Sequence, residues 1–121
     1  MARKIATTLA AGALLVAGGL AQAEAAVAAP AHILVYMNTT VTQWTHWTPD
    51  PYASTHAGTL YAGKNYFKCW TWGELYTIPG AGSRIWLLTD DDTGHRDVYV
   101  NTVYLDDNGF THATEWLDQC N

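Results

Sequence analysis

The chain has 121 residues, with six basic residues against eleven acidic and a formal net charge of −5. That length suits one domain. The acidic balance argues against nucleic acid and against anionic membrane surfaces, since both need clustered cations.

Residues 1–23 read as a secretory signal peptide: Arg3 and Lys4, an apolar run over 5–20, then Ala21-Gln22-Ala23. Ala23-Glu24-Ala25 and Ala26-Val27-Ala28 are alternative cleavage points. The run is shorter than the ~20 residues of a spanning helix, and no second run of that length follows. The expectation is a secreted, extracellular protein with no membrane association after cleavage. Loss of the segment takes the charge to about −7, or about −6 if Glu24 goes too. The remaining ~95–98 residues can bury a modest core.

Residues 24–40 read as an Ala-rich spacer containing Pro30, an extra edge strand at 32–36 and a turn at 38–40. Thr, Val and Trp over 41–47 indicate a strand. Residues 48–58 are a loop, because Pro49 and Pro51 remove backbone donors and fix φ. A short strand at 59–61 and a turn at 62–65 follow. Residues 66–72 alternate: Tyr66, Lys68, Trp70 and Trp72 on one face, Phe67, Cys69 and Thr71 on the other. Lys68 asks for solvent, so the Phe67 face is assigned to the core.

Residues 73–83 are expected to be a long loop with a type II turn at Pro79-Gly80. Residues 85–89 and 96–101 form a hairpin around the turn 90–95, where Gly94 supplies a positive φ. Residues 102–105 fit one 3₁₀ turn. Asp106-Asp107-Asn108-Gly109 is a turn signal, and a helical turn or two is expected around 113–117. Short strands punctuated by turns indicate an all-β sandwich or small barrel.

The two cysteines are Cys69 and Cys120. In an exported chain an even count favours a disulfide, and only one intramolecular pairing exists. It would close a loop of about 50 residues, worth ~4 kcal/mol in the chain-entropy picture.

The order of motifs over 41–107 carries a family resemblance. Gly58-Thr59-Leu60-Tyr61-Ala62-Gly63 precedes an aromatic strand. A Trp-bearing strand ends in an acidic Gly turn, from Trp86 to Gly94. Val98-Tyr99-Val100-Asn101-Thr102-Val103-Tyr104-Leu105 closes the series. This resembles a bacterial SH3 domain of the secreted actinobacterial type. Val98 stands where the family usually has Gly, and Asn101 where eukaryotic relatives have Pro.

The resemblance implies a small SH3-like barrel over 41–107, with an N-terminal extra strand. A C-terminal tail, 108–121, would be tied back by the Cys69–Cys120 bridge. It implies a ligand groove between the first long loop and the loop after the third strand, lined by Tyr52, Trp72, Glu74, Trp86 and Tyr104. It implies a secreted, non-catalytic module recognising an extracellular peptide, such as cell-wall peptide. The alternative is a small secreted inhibitor or effector of another extracellular protein. Flat aromatic faces suit an extended peptide because they lose little rotamer entropy.

Other patterns point to no chemistry. Trp70 and Trp72 share a strand face and are either an exposed platform or packing under the terminal segments. Asp90-Asp91-Asp92-Thr93-Gly94 fails the EF-hand pattern, because counting from Asp90 puts His95 and Asn101 where Gly and Glu are required. The five histidines have no zinc spacing. No G-x-S-x-G motif is present. The expectation is no enzyme activity, no metal and no cofactor.

Overall fold

The computed structural model describes residues 33–121. The signal-peptide and spacer assignments, apart from the latter's strand end, lie outside the described residues. Seven strands run in order: β1 (Val35–Thr39), β2 (Gln43–His46), β3 (His56–Leu60), β4 (Gly63–Phe67), β5 (Cys69–Ile78), β6 (Ala81–Thr89) and β7 (Val98–Asn101). A 3₁₀ turn at Ala53–Thr55 lies between β2 and β3, a second at Thr102–Tyr104 follows β7, and helix α1 spans Asp107–Trp116.

The protein is mostly β, with every strand pairing antiparallel. β1 and β4 form a two-stranded sheet, and the other five form a sheet in the order β3-β2-β7-β6-β5. The two ladders do not join into one closed sheet. They meet at a seam, where Lys68 N–H donates to the Leu88 carbonyl at 2.8 Å and Thr89 Oγ1 to the Tyr66 carbonyl at 2.7 Å.

The core follows from strand alternation. Leu87 pairs with Val100 on one face of the larger sheet. Both pack with Leu60, Phe67, Met37, Leu105, Ala113 and Leu117. The last two put α1 over this face, as a helix with apolar residues three to four apart should be. Asp106 caps the helix, its Oδ1 accepting from Gly109 N–H at 2.8 Å. The expected turn at 106–109 is therefore the start of a ten-residue helix. Asp and Asn serve turns and N-caps alike, and packing against the core decides for the helix.

The expected loop at 73–83 is also corrected. β5 continues through Gly73 to Ile78 and pairs back on β6, with an irregularity in register between Trp72 and Tyr76. Only Pro79-Gly80 turns, with Gly80 at φ +86° as a type II turn requires. The turn expected at 38–40 is shortened, since Asn38 and Thr39 belong to β1, and the one at 62–65 yields to β4 from Gly63 onward.

Both edges of the larger sheet are covered, which removes a template for aggregation. At the β5 edge the disulfide joins Cys69 to Cys120, with Cα atoms 5.1 Å apart. Beside it Trp70 N–H donates to the Asp118 carbonyl at 3.0 Å, and Cys120 N–H donates to the Trp70 carbonyl at 2.7 Å. The bridge brings the tail back to β5, as the cysteine pairing requires. Trp70 packs against the core, although its face was assigned to solvent. Trp72 is 59% exposed. The pair thus divides between packing and surface.

Candidate functional site

The opposite face of the larger sheet carries the site. Trp86 on β6 pairs with Asn101 on β7. One residue from Leu87 and Val100, they must face the other way. His46 of β2 lies on the same face, paired with Tyr99. Above them Thr42, Gln43, Trp44, Pro51, Thr59, Tyr76 and Tyr104 complete a groove of about 400 Å³.

Trp86 is the floor. It is 1% exposed, and its Nε1–H donates to the Glu74 carbonyl at 2.9 Å. His46 meets it edge-on at 6.0 Å and Tyr76 lies tilted at 6.2 Å. Gly73 permits this arrangement. A Cβ there would run into the Pro49 carbonyl and lie 2.6 Å from Trp86 Cδ1. The absent side chain lets the Pro-containing loop settle on β5, where Glu74 N–H donates to the Pro49 carbonyl at 3.0 Å.

The walls are aromatic. Trp44 is 52% exposed and stacks on His56 at 3.9 Å. Tyr104, from the second 3₁₀ turn, meets Tyr76 edge-on at 5.9 Å, with their hydroxyls 3.2 Å apart. That hydrogen bond, with burial adding to it, pushes the Tyr76 hydroxyl up to about 12.

The groove lining holds no Asp, Glu, Lys or Arg. Burial lowers the pKa of its histidine, His46, against the opposing pull of Asp50 and of the Tyr52 backbone. Most polar groups are satisfied. Asn101 donates from Nδ2 to the Ser83 carbonyl at 3.0 Å and accepts from Val103 N–H at 2.9 Å. Gln43 differs: its Nε2 is buried with no hydrogen-bond partner among the described residues. Leaving such a donor unpaired costs about 1–3 kcal/mol, and native proteins rarely leave one so without a reason.

Of the residues expected at the groove, Trp86 and Tyr104 line it together. The other three stand elsewhere. Tyr52 is exposed on the Pro-containing loop and Trp72 is exposed on β5. The Glu74 side chain is exposed, while its backbone anchors both Trp86 and the loop. Sequence reasoning missed Gln43, Trp44, His46, Pro51, Tyr76 and Asn101 as a set. Tyr76 was hidden in a segment read as loop.

The acidic turn is a structural device. Asp91, its side chain fully buried, accepts from Thr45 Oγ1 at 2.7 Å, Thr93 N–H at 2.9 Å and His95 N–H at 3.0 Å. Burial works against its ionisation, but these bonds outweigh it and lower its pKa. Asp92 Oδ2 accepts from Tyr61 N–H at 2.8 Å, and its N–H donates to the Thr59 carbonyl at 3.0 Å. The turn therefore covers the free edge of β3. Gly58 makes room for it, since a Cβ there would run into Thr93 Oγ1 and His95 Nδ1 and lie 2.5 Å from Asp91 Oδ2. Among the described residues no group of three or more His, Cys, Asp or Glu is arranged to hold a metal ion. None of their helices is long and apolar enough to cross a membrane. No protein-family model, curated protein or solved structure matches the chain.

Proposed function

We propose that this chain is a secreted, non-catalytic binding module related to bacterial SH3 domains, and that it takes an extended extracellular peptide, in the first instance cell-wall peptide, in the groove over Trp86. The observation that carries this reading is the convergence of Trp44, Tyr76, Trp86 and Tyr104 on one open, uncharged groove. Rigid aromatic walls bind an extended chain at small entropic cost. Export through residues 1–23 is supported by the Cys69–Cys120 disulfide, which persists in oxidising compartments.

A pull-down on purified peptidoglycan tests the proposal. Retention of the wild type and its loss in Trp44→Ala and Tyr104→Ala are expected. No retention, or equal retention of the variants, counts against it. The second reading, an inhibitor or effector of a secreted protein, draws on Trp47 and Tyr52, about half exposed on the Pro-containing loop. A complex with a secreted enzyme that is lost on Trp47→Ala but not on Tyr104→Ala would favour it.

A further inference from the structure

A chain of hydrogen bonds behind the groove fixes which nitrogen of His46 carries the proton. Thr55 Oγ1 lies 2.5 Å from Asp50 Oδ1 and 3.0 Å from the Tyr52 carbonyl. Burial opposes ionisation of Asp50, but bonds from Thr48, Thr55 and the Tyr52 backbone outweigh it and lower its pKa. A carboxylate and a carbonyl only accept, so the single hydroxyl proton of Thr55 is committed to them. Thr55 Oγ1 can then only accept from His46 Nδ1, 3.0 Å away. His46 therefore carries its proton on Nδ1, and in the neutral ring Nε2 is a lone-pair acceptor.

Thr55 is itself held in place. It ends the 3₁₀ turn Ala53–Thr55, its N–H donates to the Tyr52 carbonyl at 3.1 Å, and its carbonyl accepts from Trp47 N–H at 2.8 Å. Burial has the largest effect on the His46 pKa and lowers it, as does His56, while Asp50 and the Tyr52 carbonyl raise it. The ring lines the groove, with Trp86 edge-on beneath it. His46 is 6% exposed, so only an edge of the imidazole meets solvent. That edge includes Nε2. Among the described residues the His46 side chain bonds through Nδ1, and the one side-chain nitrogen or oxygen that is both buried and unpartnered is Gln43 Nε2, on a residue paired with core Leu60. An unbonded His46 Nε2 is therefore not sealed from solvent.

We propose that His46 Nε2 is the acceptor that anchors a ligand in this groove, taking a hydrogen bond from a main-chain amide N–H of the bound peptide, and that Thr55 is the positioning residue that fixes the ring for it. The proposal rests on the groove reading above and names the contact by which that groove holds main chain. Other polar groups of the lining are already engaged. Asn101 uses both ends of its amide, Trp86 Nε1–H is bonded to the Glu74 carbonyl, and the Tyr76 and Tyr104 hydroxyls meet each other. A residue whose backbone nitrogen carries no hydrogen, as in proline, is disfavoured at this one position. Trp44, Tyr76 and Tyr104 supply apolar contact that tolerates different side chains.

The test uses the folded, disulfide-bonded protein and acetyl-trialanine amide as the probe, followed by ¹⁵N–¹H NMR. In the free protein, long-range correlations of the His46 ring are expected to show the proton on Nδ1; a proton on Nε2 of the neutral ring overturns the proposal. Thr55→Val is expected to release the proton from Nδ1 and Thr55→Ser to keep it there; an unchanged ring in Thr55→Val overturns the role of Thr55. On titration with the probe, His46 Nε2 is expected to shift together with Trp44 and Tyr104. A probe with its central amide replaced by an ester is expected to bind the wild type roughly three- to tenfold more weakly, the range of one hydrogen bond. His46→Phe, which keeps a ring and removes the acceptor, is expected to bind the two probes equally. Shifts at Trp44 and Tyr104 that spare His46 Nε2, or the same preference for amide over ester in His46→Phe, overturn the anchor while the groove reading stands. A probe that moves no groove resonance overturns both.

Discussion

The acidic turn and the groove differ in how they use charge. In the turn every acid is engaged. Asp90 accepts from Tyr66 Oη at 2.6 Å, Lys68 Nζ at 2.8 Å and Asp97 N–H at 3.0 Å. Asp91 is bonded as fully, and Asp92 reaches β3. In the groove there is no charged lining residue, and Gln43, paired across to core Leu60, has its Nε2 buried with nothing to bond among the described residues. The run of three acids that stands out in the sequence is occupied with holding the fold. The inconspicuous Gln43 is the buried group left without a partner among the described residues. Conspicuous charge therefore marks the scaffold here, and the groove over Trp86 has none in its lining.

That contrast sets the sign and size of several effects. The largest belongs to Asp91→Ala, which strands Thr45 and two backbone N–H donors and uncovers β3. A loss of about 3 kcal/mol is expected, read as a fall in the urea midpoint. No change in midpoint would mean that the turn is ornamental.

Next is the acid sensitivity of Asp90. Burial opposes its ionisation, but Lys68 and Tyr66 outweigh that and hold it at about 2, against an ordinary 3.8. A depressed carboxyl stabilises the fold above its unfolded value and ceases to do so as pH falls through the folded one. About 2 kcal/mol is expected to disappear between roughly pH 4 and pH 2. Urea unfolding across that range should show the slope in the wild type and a flatter profile in Asp90→Asn.

A smaller effect, about 1–3 kcal/mol, is expected for Gly73→Ala, whose Cβ has no room beside Pro49 and Trp86. It should also displace the Pro-containing loop and change the Trp fluorescence, so that the groove is disturbed by a residue that does not line it.

The smallest effect should have the opposite sign. Gln43→Met removes an unpaired donor and should leave stability unchanged or raise it by up to about 1 kcal/mol, measured by thermal unfolding. A clear loss of stability would show that Gln43 is paired within the fold, and the contrast with the turn would vanish.

Much of the scaffold was legible. Strand-forming composition over 41–47 marked what became β2, the runs 85–89 and 96–101 marked β6 and β7, and Gly94 marked the turn between them, observed at φ +95°. The 3₁₀ turn that places Tyr104 was readable from its shortness. The 73–83 segment was not, because Gly73, Pro79, Gly80 and Gly82 suggest a loop, whereas Tyr76–Ile78 pair with Ala81–Ser83 across the turn. Glycine there serves close packing as well as turning. Helix α1 was obscured because its N-cap uses the residues of a turn. Of the residues that the resemblance named for a groove, Trp86 and Tyr104 line the one seen here. Tyr52, Trp72 and Glu74, named through the same resemblance, do not line it, because a loop's place in the chain does not say which way its side chains lie.

The sequence by itself determined the β-rich class and the single possible disulfide pairing, because each depends on local backbone preference or on a count with one solution. Only the tertiary structure decided which aromatics share a face, that Trp86 is a floor and Trp44 a wall, that Thr55 and Asp50 orient His46, and that Gln43 is left unpaired. Those outcomes depend on registers between strands far apart in the chain, where a shift of one residue would turn every side chain to the opposite face.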